Sequence, residues 1–351
     1  MPTASDAAPP LLSALSGRRP ATLPVWFMRQ AGRSLPEYRA ARKGVGMLES
    51  CLMPELAAEI TLQPVRRHRV DAAIFFSDIM VPLKLAGVGV EIVPDVGPVV
   101  AEPARTASDI DRLTRLEPGD TTPITAAIEL VTDELATVGS VEASWTPLIG
   151  FAGAPFTLAA YLVEGRPSRD HLAARALMHA DPDSWRRLMA WCATISGHFL
   201  ATQVDAGASA VQLFDSWAGS LTRADYAAHV APHSRAALAA VEGRVPRIHF
   251  GTGTGHLLEE FAVGADAVGV DYRTPLDEAA ARLPGVPLQG NLDPALLAAG
   301  DAALFAHLDD VLARGRSAPG HVVNLGHGVP PTTDPDVLTR LVERIHRAHA
   351  S

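Results

Sequence analysis

Residues 183–216 read DSWRRLMAWCATISGHFLATQVDAGASAVQLFDS, and the apolar period changes partway along. First Trp185, Leu188, Cys192, Ile195 and Phe199 recur every three or four positions, which puts them on one face of a helix. Asp183 stands where an N-cap is expected, and Gly207 where the helix should stop. A short apolar run over 210–214 follows, then Asp215 and Ser216. That run is too short for a helix, so the stretch reads as one helix feeding one strand that ends in polar side chains.

The same alternation runs from residue 70 towards the C-terminus. Strands are predicted over 72–76, 148–151, 210–214, 247–250, 267–270, 286–289 and 321–325, with an eighth over 25–28. Strands separated by helical segments build a parallel sheet. Most of the runs finish in a polar residue or glycine: Ser77-Asp78, Gly153, Asp215-Ser216, Gly251, Asp271, Gly290-Asn291 and Gly326-His327. Barrels build their active sites at strand carboxyl ends, and doubly wound sheets place ligands there too, but so many functionalised ends favour a barrel. The expected fold is α/β, a (β/α)8 TIM barrel in a single domain over 21–351, with 1–20 as a flexible N-terminal arm. Apolar segments at 88–93 and 96–100 flank Pro94-Asp95, which predicts a hairpin inserted near 86–101. Residues 101–122 read as a polar connection.

With 351 residues, 48% hydrophobic and 20% charged, the chain has the apolar material for a large core, which excludes disordered and fibrous classes. A net charge of −9 repels polyanions, so nucleic acid is not an expected partner and an anionic ligand needs a local basic patch. No apolar run approaches the roughly 18 residues that cross a bilayer. The first segment has Asp6 early and Arg18-Arg19 after its apolar stretch, unlike a signal peptide, so a cytoplasmic protein is expected. Cys51 and Cys192 lie far apart, with no cysteine and histidine cluster at zinc spacing; both are expected to be reduced and buried, and no metal site is expected.

The densest polar segment starts Arg29-Gln30-Ala31-Gly32-Arg33 and continues through Glu37, Arg39, Arg42 and Lys43, five basic residues within fifteen positions. Guanidinium groups bind carboxylates bidentately, so the segment suits a ligand bearing several carboxylates. A solvated turn with ion pairs to Glu37 fits the composition equally well. Asp78 follows an apolar strand, either as a helix N-cap or as a buried acid that must be paired or hydrogen-bonded. Tyr161 lies four residues after Thr157 on one helical face, as a core residue or with its hydroxyl aimed at a ligand. Ser216 offers a hydroxyl beside the flat rings of Phe214 and Trp217, and with no histidine or lysine at a triad spacing it reads as a hydrogen-bonding group. His327 stands between glycines after the last strand, in the place of a functional imidazole rather than a structural one. Gly251-Thr252-Gly253-Thr254-Gly255 lacks the lysine of a phosphate loop and reads as a tight turn.

Five phrases, taken in chain order, resemble the uroporphyrinogen decarboxylase family: PVWFMRQAGR at 24–33, FSDI at 76–79, GAPFTL at 153–158, QGNLDP at 289–294 and NLGHG at 324–328. The resemblance spans roughly residues 24–335, and the arginine-rich phrase is its most specific part. It implies a distorted (β/α)8 barrel, a homodimer, and decarboxylation of uroporphyrinogen III to coproporphyrinogen III in heme biosynthesis without a cofactor. Carried over by position, it makes Asp78 and Arg29 catalytic, and Arg29, Gln30, Ala31, Gly32, Arg33, Asp78, Tyr161, Ser216 and His327 substrate-binding. Asp215 and Trp217 depart from residues that other members carry. As proton donor, Arg29 or a water it orients ranks ahead of His327. One alternative is a zinc-dependent methyltransferase on the same barrel, for which His-x-Cys is expected where this chain has His249-Phe250-Gly251. Another is a barrel that binds tetrapyrrole without turning it over.

Overall fold

The computed structural model describes residues 8–138 and 145–349. Its main sheet has seven strands, all parallel and hydrogen-bonded in chain order. They are β1 (Ala73–Ile74), β4 (Leu148–Gly153), β5 (Ala210–Asp215), β6 (Arg247–Gly251), β7 (Ala267–Gly269), β8 (Leu288–Gln289) and β9 (His321–Val322). The expected hairpin is present as β2 (Val90–Val93) and β3 (Gly97–Val100), antiparallel, with Pro94-Asp95 in its turn.

The sheet curls strongly, and side-chain hydrogen bonds show it. Gln289 Nε2 of β8 donates to Gln212 Oε1 of β5 at 2.7 Å, and Gln289 Oε1 accepts from Trp26 Nε1 at 3.0 Å. Strands β6 and β7 lie between β5 and β8 in the sheet, so this bond crosses its concave face. All three side chains are buried, so each polar atom needs a partner inside the fold.

The expected eighth strand is reduced to a single parallel bridge, Val25 with Val323. On its other side the Val25 carbonyl accepts from Asp71 N at 2.8 Å, and Val25 N donates to the Asp71 carboxylate at 2.9 Å. Pro24 has no N–H to offer, which limits a regular ladder here. The strands expected over 72–76, 286–289 and 321–325 are also shorter in the structure, at 73–74, 288–289 and 321–322.

Three further expectations change. The helix Pro182–Asp205 is capped by Asp181, whose carboxylate accepts from Ser184 N at 3.1 Å, rather than by Asp183. Pro182 takes the first helical position, which moves the cap back, and Asp183 instead pairs with Arg186 at 2.8 Å. The connection over 101–122 contains the helix Ala107–Leu113, opened by a reciprocal Thr106–Asp109 capping box. In the segment expected to be a flexible arm, residues 1–7 lie outside the described residues, and Pro10–Leu15 form a helix with Leu11, Ala14 and Leu15 buried.

Because β1 is so short, Phe151 of β4 lacks a strand partner on that side. Gln203 of the helix Pro182–Asp205 supplies one: its Oε1 accepts from Phe151 N at 2.9 Å and its Nε2 donates to Phe151 O at 2.8 Å. Gly150 makes room, since a Cβ there would come within 3.0 Å of Gln203 Oε1. Gln203→Leu should therefore strand two buried backbone groups and cost about 3 kcal/mol, read from urea unfolding midpoints. A loss below about 0.5 kcal/mol would show that the amide is not the partner that matters.

Candidate active site

Arg29 sits between the Val25 bridge and the helix Pro36–Ala41, with φ of +62°. That left-handed conformation costs a non-glycine residue about 1–3 kcal/mol and persists only where the surroundings enforce it. Its neighbours do so. Met28 N donates to Asn324 Oδ1 at 3.0 Å, and Met28 O accepts from Val329 N at 2.8 Å. Gln30 accepts from Phe27 N at 3.0 Å and donates to Ala72 O at 3.1 Å. Gln30 is fully buried, so the structure gives it the work of a brace rather than a face towards the cleft. The Arg29 side chain runs across Gly328, where a Cβ would come within 2.5 Å of Arg29 Cδ.

The pairing of this segment with Glu37 does not form. Glu37 takes both its hydrogen bonds from Arg67, at 2.7 and 2.9 Å, and that contact, opposed by burial, holds its carboxyl below the ordinary range. Arg39 donates to Arg33 O at 2.6 Å and to Ser34 O at 3.2 Å, and Arg42 binds the Tyr38 hydroxyl and Val45 O. Among the described residues, the side chains of Arg29, Arg33 and Lys43 have neither a hydrogen bond nor an ion pair. Ala31 is partly buried against the core, and Gly32 O accepts from Leu35 N at 3.0 Å, closing a turn that carries Arg33.

Asp78 follows β1 at the carboxyl end of the sheet. Its Oδ1 accepts from Met80 N at 2.9 Å, but Met80 is itself the N-cap of the helix Val81–Leu85 and no side chain caps it, so the expected capping role of Asp78 does not form. Oδ2 has no partner among the described residues. Burial raises the Asp78 pKa, opposed by the Met80 amide and by the charge of Arg29. Tyr161, on the helix Pro155–Glu164, is pushed well up by burial and then by the negative charge of Asp78, with Arg29 opposing. His327 is pushed down, first by burial and then by Arg29. Its Nδ1 accepts from Gly328 N at 2.7 Å, which favours the neutral ring. Arg29, Asp78, Tyr161 and His327 thus come from four separate parts of the chain into one electrostatic neighbourhood.

An aromatic wall borders it. The Tyr161 ring lies 3.8 Å from that of Trp217, tilted 32°, and Trp217 stacks on His171 at 4.3 Å. His171 is anchored through Nδ1, 3.0 Å from Ser220 Oγ. Phe214 instead joins Phe151 and Phe250 edge to face, so of the two rings flanking Asp215 and Ser216, Trp217 is the one stacked with Tyr161. The hydroxyls of Tyr161 and Ser216 have no hydrogen-bond partner among the described residues. Asp215 is fully buried and accepts from Thr157 Oγ1 at 3.1 Å and from the Tyr226 hydroxyl at 3.2 Å. His249 Nε2 lies 3.7 Å from the same carboxylate, with its ring stacked 3.9 Å from Phe261. The supporting roles of His171 and Thr157 were not visible in sequence, because their partners lie on other elements.

Guanidinium groups and hydroxyls without partners among the described residues, and a desolvated acid, gather on a curled parallel sheet, the architecture of an α/β enzyme. Comparison with known proteins makes this specific. The family described as uroporphyrinogen decarboxylase (URO-D) matches residues 6–348. A uroporphyrinogen decarboxylase of Arthrobacter sp. is 63% identical over 340 residues, covering 96% of each chain. One of Streptomyces coelicolor is 60% identical over 326 residues, 92% of this chain and 90% of the other. The chain belongs to the uroporphyrinogen decarboxylase family. A methyltransferase from Methanosarcina mazei superposes with a TM-score of 0.77 at 18% identity, over 97% of this chain and 98% of that one, which shows the shared fold.

The raised pKa of Asp78 has a consequence for stability. A carboxyl whose folded pKa lies above its unfolded value favours folding fully only below the unfolded pKa, and that contribution is lost as pH rises through the folded value. Asp78→Asn stays neutral throughout. At pH 7 this variant should be more stable to urea than the parent, and the gap should close below about pH 4, the ordinary aspartate range. Equal stability at both pH values would remove the desolvation argument.

Proposed function

We propose that this chain removes the four acetate carboxyl groups of uroporphyrinogen III as CO2, giving coproporphyrinogen III in porphyrin and heme biosynthesis, without a cofactor. The observation that carries this reading is the Arg29 guanidinium, without a partner among the described residues and acting on an acid with one free oxygen, with Arg33 four residues on equally unpaired. A tetrapyrrole with eight carboxylate arms supplies the anions, and its inward pyrrole N–H groups supply the donors that Asp78 lacks. The membership of the family over residues 6–348 supports the same substrate.

The residue chemistry follows. Asp78 accepts pyrrole N–H bonds and holds the macrocycle against the Tyr161 and Trp217 rings. Proton addition at the pyrrole carbon next to the one bearing an acetate arm makes the ring cationic, and the free oxygen of Asp78 stabilises that charge inside a dry cleft. The bond from the arm's methylene to its carboxylate then breaks, its electrons neutralise the ring, and CO2 leaves. A second proton turns the methylene into a methyl while the ring carbon loses the first. The substrate is its own electron sink, so the chain's residues bind, orient and deliver protons.

Arg29, or a water it orients, ranks ahead of His327 as donor. His327 is depressed below its ordinary value and carries no spare proton near neutral pH. Arg33, Tyr161, Ser216 and the neutral His327 contact acetate or propionate arms, with Ala31 and Gly32 shaping the turn and Gln30 bracing it. The zinc methyltransferase alternative fits less well: Gly251 stands where its thiolate is needed, and His249 is enclosed by Phe261 and Asp215. In this reading Val25 serves as the eighth stave of a closed, distorted (β/α)8 barrel forming a single domain, working as a cytoplasmic homodimer.

Purified protein given uroporphyrinogen and no added cofactor should release four CO2 per tetrapyrrole. Tetrapyrrole binding without CO2 release would instead support a binding protein. Asp78→Asn should lower kcat about 10³-fold with an unchanged circular dichroism spectrum. Full activity in that variant would remove Asp78 from the mechanism.

A further inference from the structure

Away from this cleft, His179, Asp225 and His229 bring one ligand atom each to within 4.8 Å of one another. His179 closes the helix Leu172–Ala180, and Asp225 and His229 stand four apart on one face of the helix Arg223–His229. His179 Nε2 is 3.4 Å from Asp225 Oδ1, and the rings of His179 and His229 meet edge to face with centroids 5.7 Å apart. Donors about 2.0–2.1 Å from a tetrahedral zinc ion lie ~3.4 Å from each other, so the first pair already has the right separation. Rotation of the His229 side chain brings in the third.

The surroundings are built for this. Asp225 Oδ2 accepts from Thr222 Oγ1 at 2.9 Å, and Thr222 Oγ1 accepts from Asp225 N at 3.1 Å, which fixes the carboxylate with Oδ1 towards the histidines. A carboxylate held through its second oxygen is how protein metal ligands are commonly oriented. The backbone of His229 is held by the buried Trp185, whose Nε1 donates to His229 O at 3.2 Å. Neither imidazole has another hydrogen-bond partner among the described residues. The side chain of His179 is 58% exposed, which leaves room for water at a fourth position.

We propose that His179, Asp225 and His229 bind one divalent first-row transition ion of the zinc type. Two imidazoles and a carboxylate suit such an ion, whereas magnesium and calcium take oxygen ligands throughout. The sequence offers only the Asp225 and His229 pair, four apart on one helix, and the third ligand comes from another helix. The ion also has structural work to do. The helix bearing His179 starts directly after His171, which stacks on Trp217, and the helix bearing Asp225 follows the turn Ala218–Ser220. The two segments meet at one end through His171 and Ser220, and the ion ties their other ends, stiffening the support of the Trp217 wall.

Calorimetric titration of the chelator-treated full chain with zinc chloride should show one site per chain of micromolar affinity or better, and none with magnesium chloride. Zinc should raise the melting temperature by several degrees. His179→Gln and His229→Gln should each weaken zinc binding at least tenfold with an unchanged circular dichroism spectrum. Absence of saturable zinc binding, or undiminished affinity in both variants, would overturn the proposal. So would zinc-soaked crystals with anomalous density only elsewhere. None of these readouts depends on decarboxylation, so their failure leaves the proposed reaction untouched.

Discussion

The Arg29 side chain has neither a hydrogen bond nor an ion pair among the described residues, and Asp78, close enough to feel its charge, is desolvated by burial and accepts one hydrogen bond. A lone charge and a half-satisfied acid are both unfavourable in a folded chain, and they stay in place only because the scaffold leaves them no alternative. The backbone of Arg29 is held in the left-handed region by bonds from Met28 to Asn324 and to Val329, and by the Gln30 brace. Those bonds tie the segment around Val25 to the one after β9, so the curl of the sheet and the placement of the cation are linked.

The other acids along the strand ends show what satisfaction looks like. Asp215 accepts from Thr157 and Tyr226 and faces His249. Asp271 accepts from the Arg273 backbone and guanidinium and from Gly253 N. Asp71 binds Val25 N and His346 Nε2, tying the closing bridge to the C-terminal helix Pro335–His349. Each is buried and engaged by groups from more than one element or turn, as structural acids should be. Asp71 also keeps one oxygen, Oδ1, without a partner among the described residues, and Asp78 differs in having a single donor, the Met80 amide.

Several features were legible early because they rest on local physics. The helix over Pro182–Asp205 and the strand after it follow from a change of apolar period, and the hairpin from turn residues between two β-branched runs. Other features were misread where two local signals competed. Asp181 and Asp183 are both competent caps, and Pro182 decided between them. Thr106 and Asp109 form a capping box that a polar composition had concealed. Gln30 lies inside the most informative phrase of the chain, yet its amide is spent on backbone groups that only the fold brings near.

The sequence by itself determined the alternation of strand and helix, the polar endings of the strands, and the residue types that mark the uroporphyrinogen decarboxylase family, because each depends on neighbours within a turn or two. Only the tertiary structure decided which charges remain unpaired. Glu37 went to Arg67 and not to Arg29 or Arg33, Gln203 completed a strand edge, and His179 met Asp225 from another helix. Pairing depends on distances between groups far apart in the chain, and those distances exist only once the sheet has curled on itself.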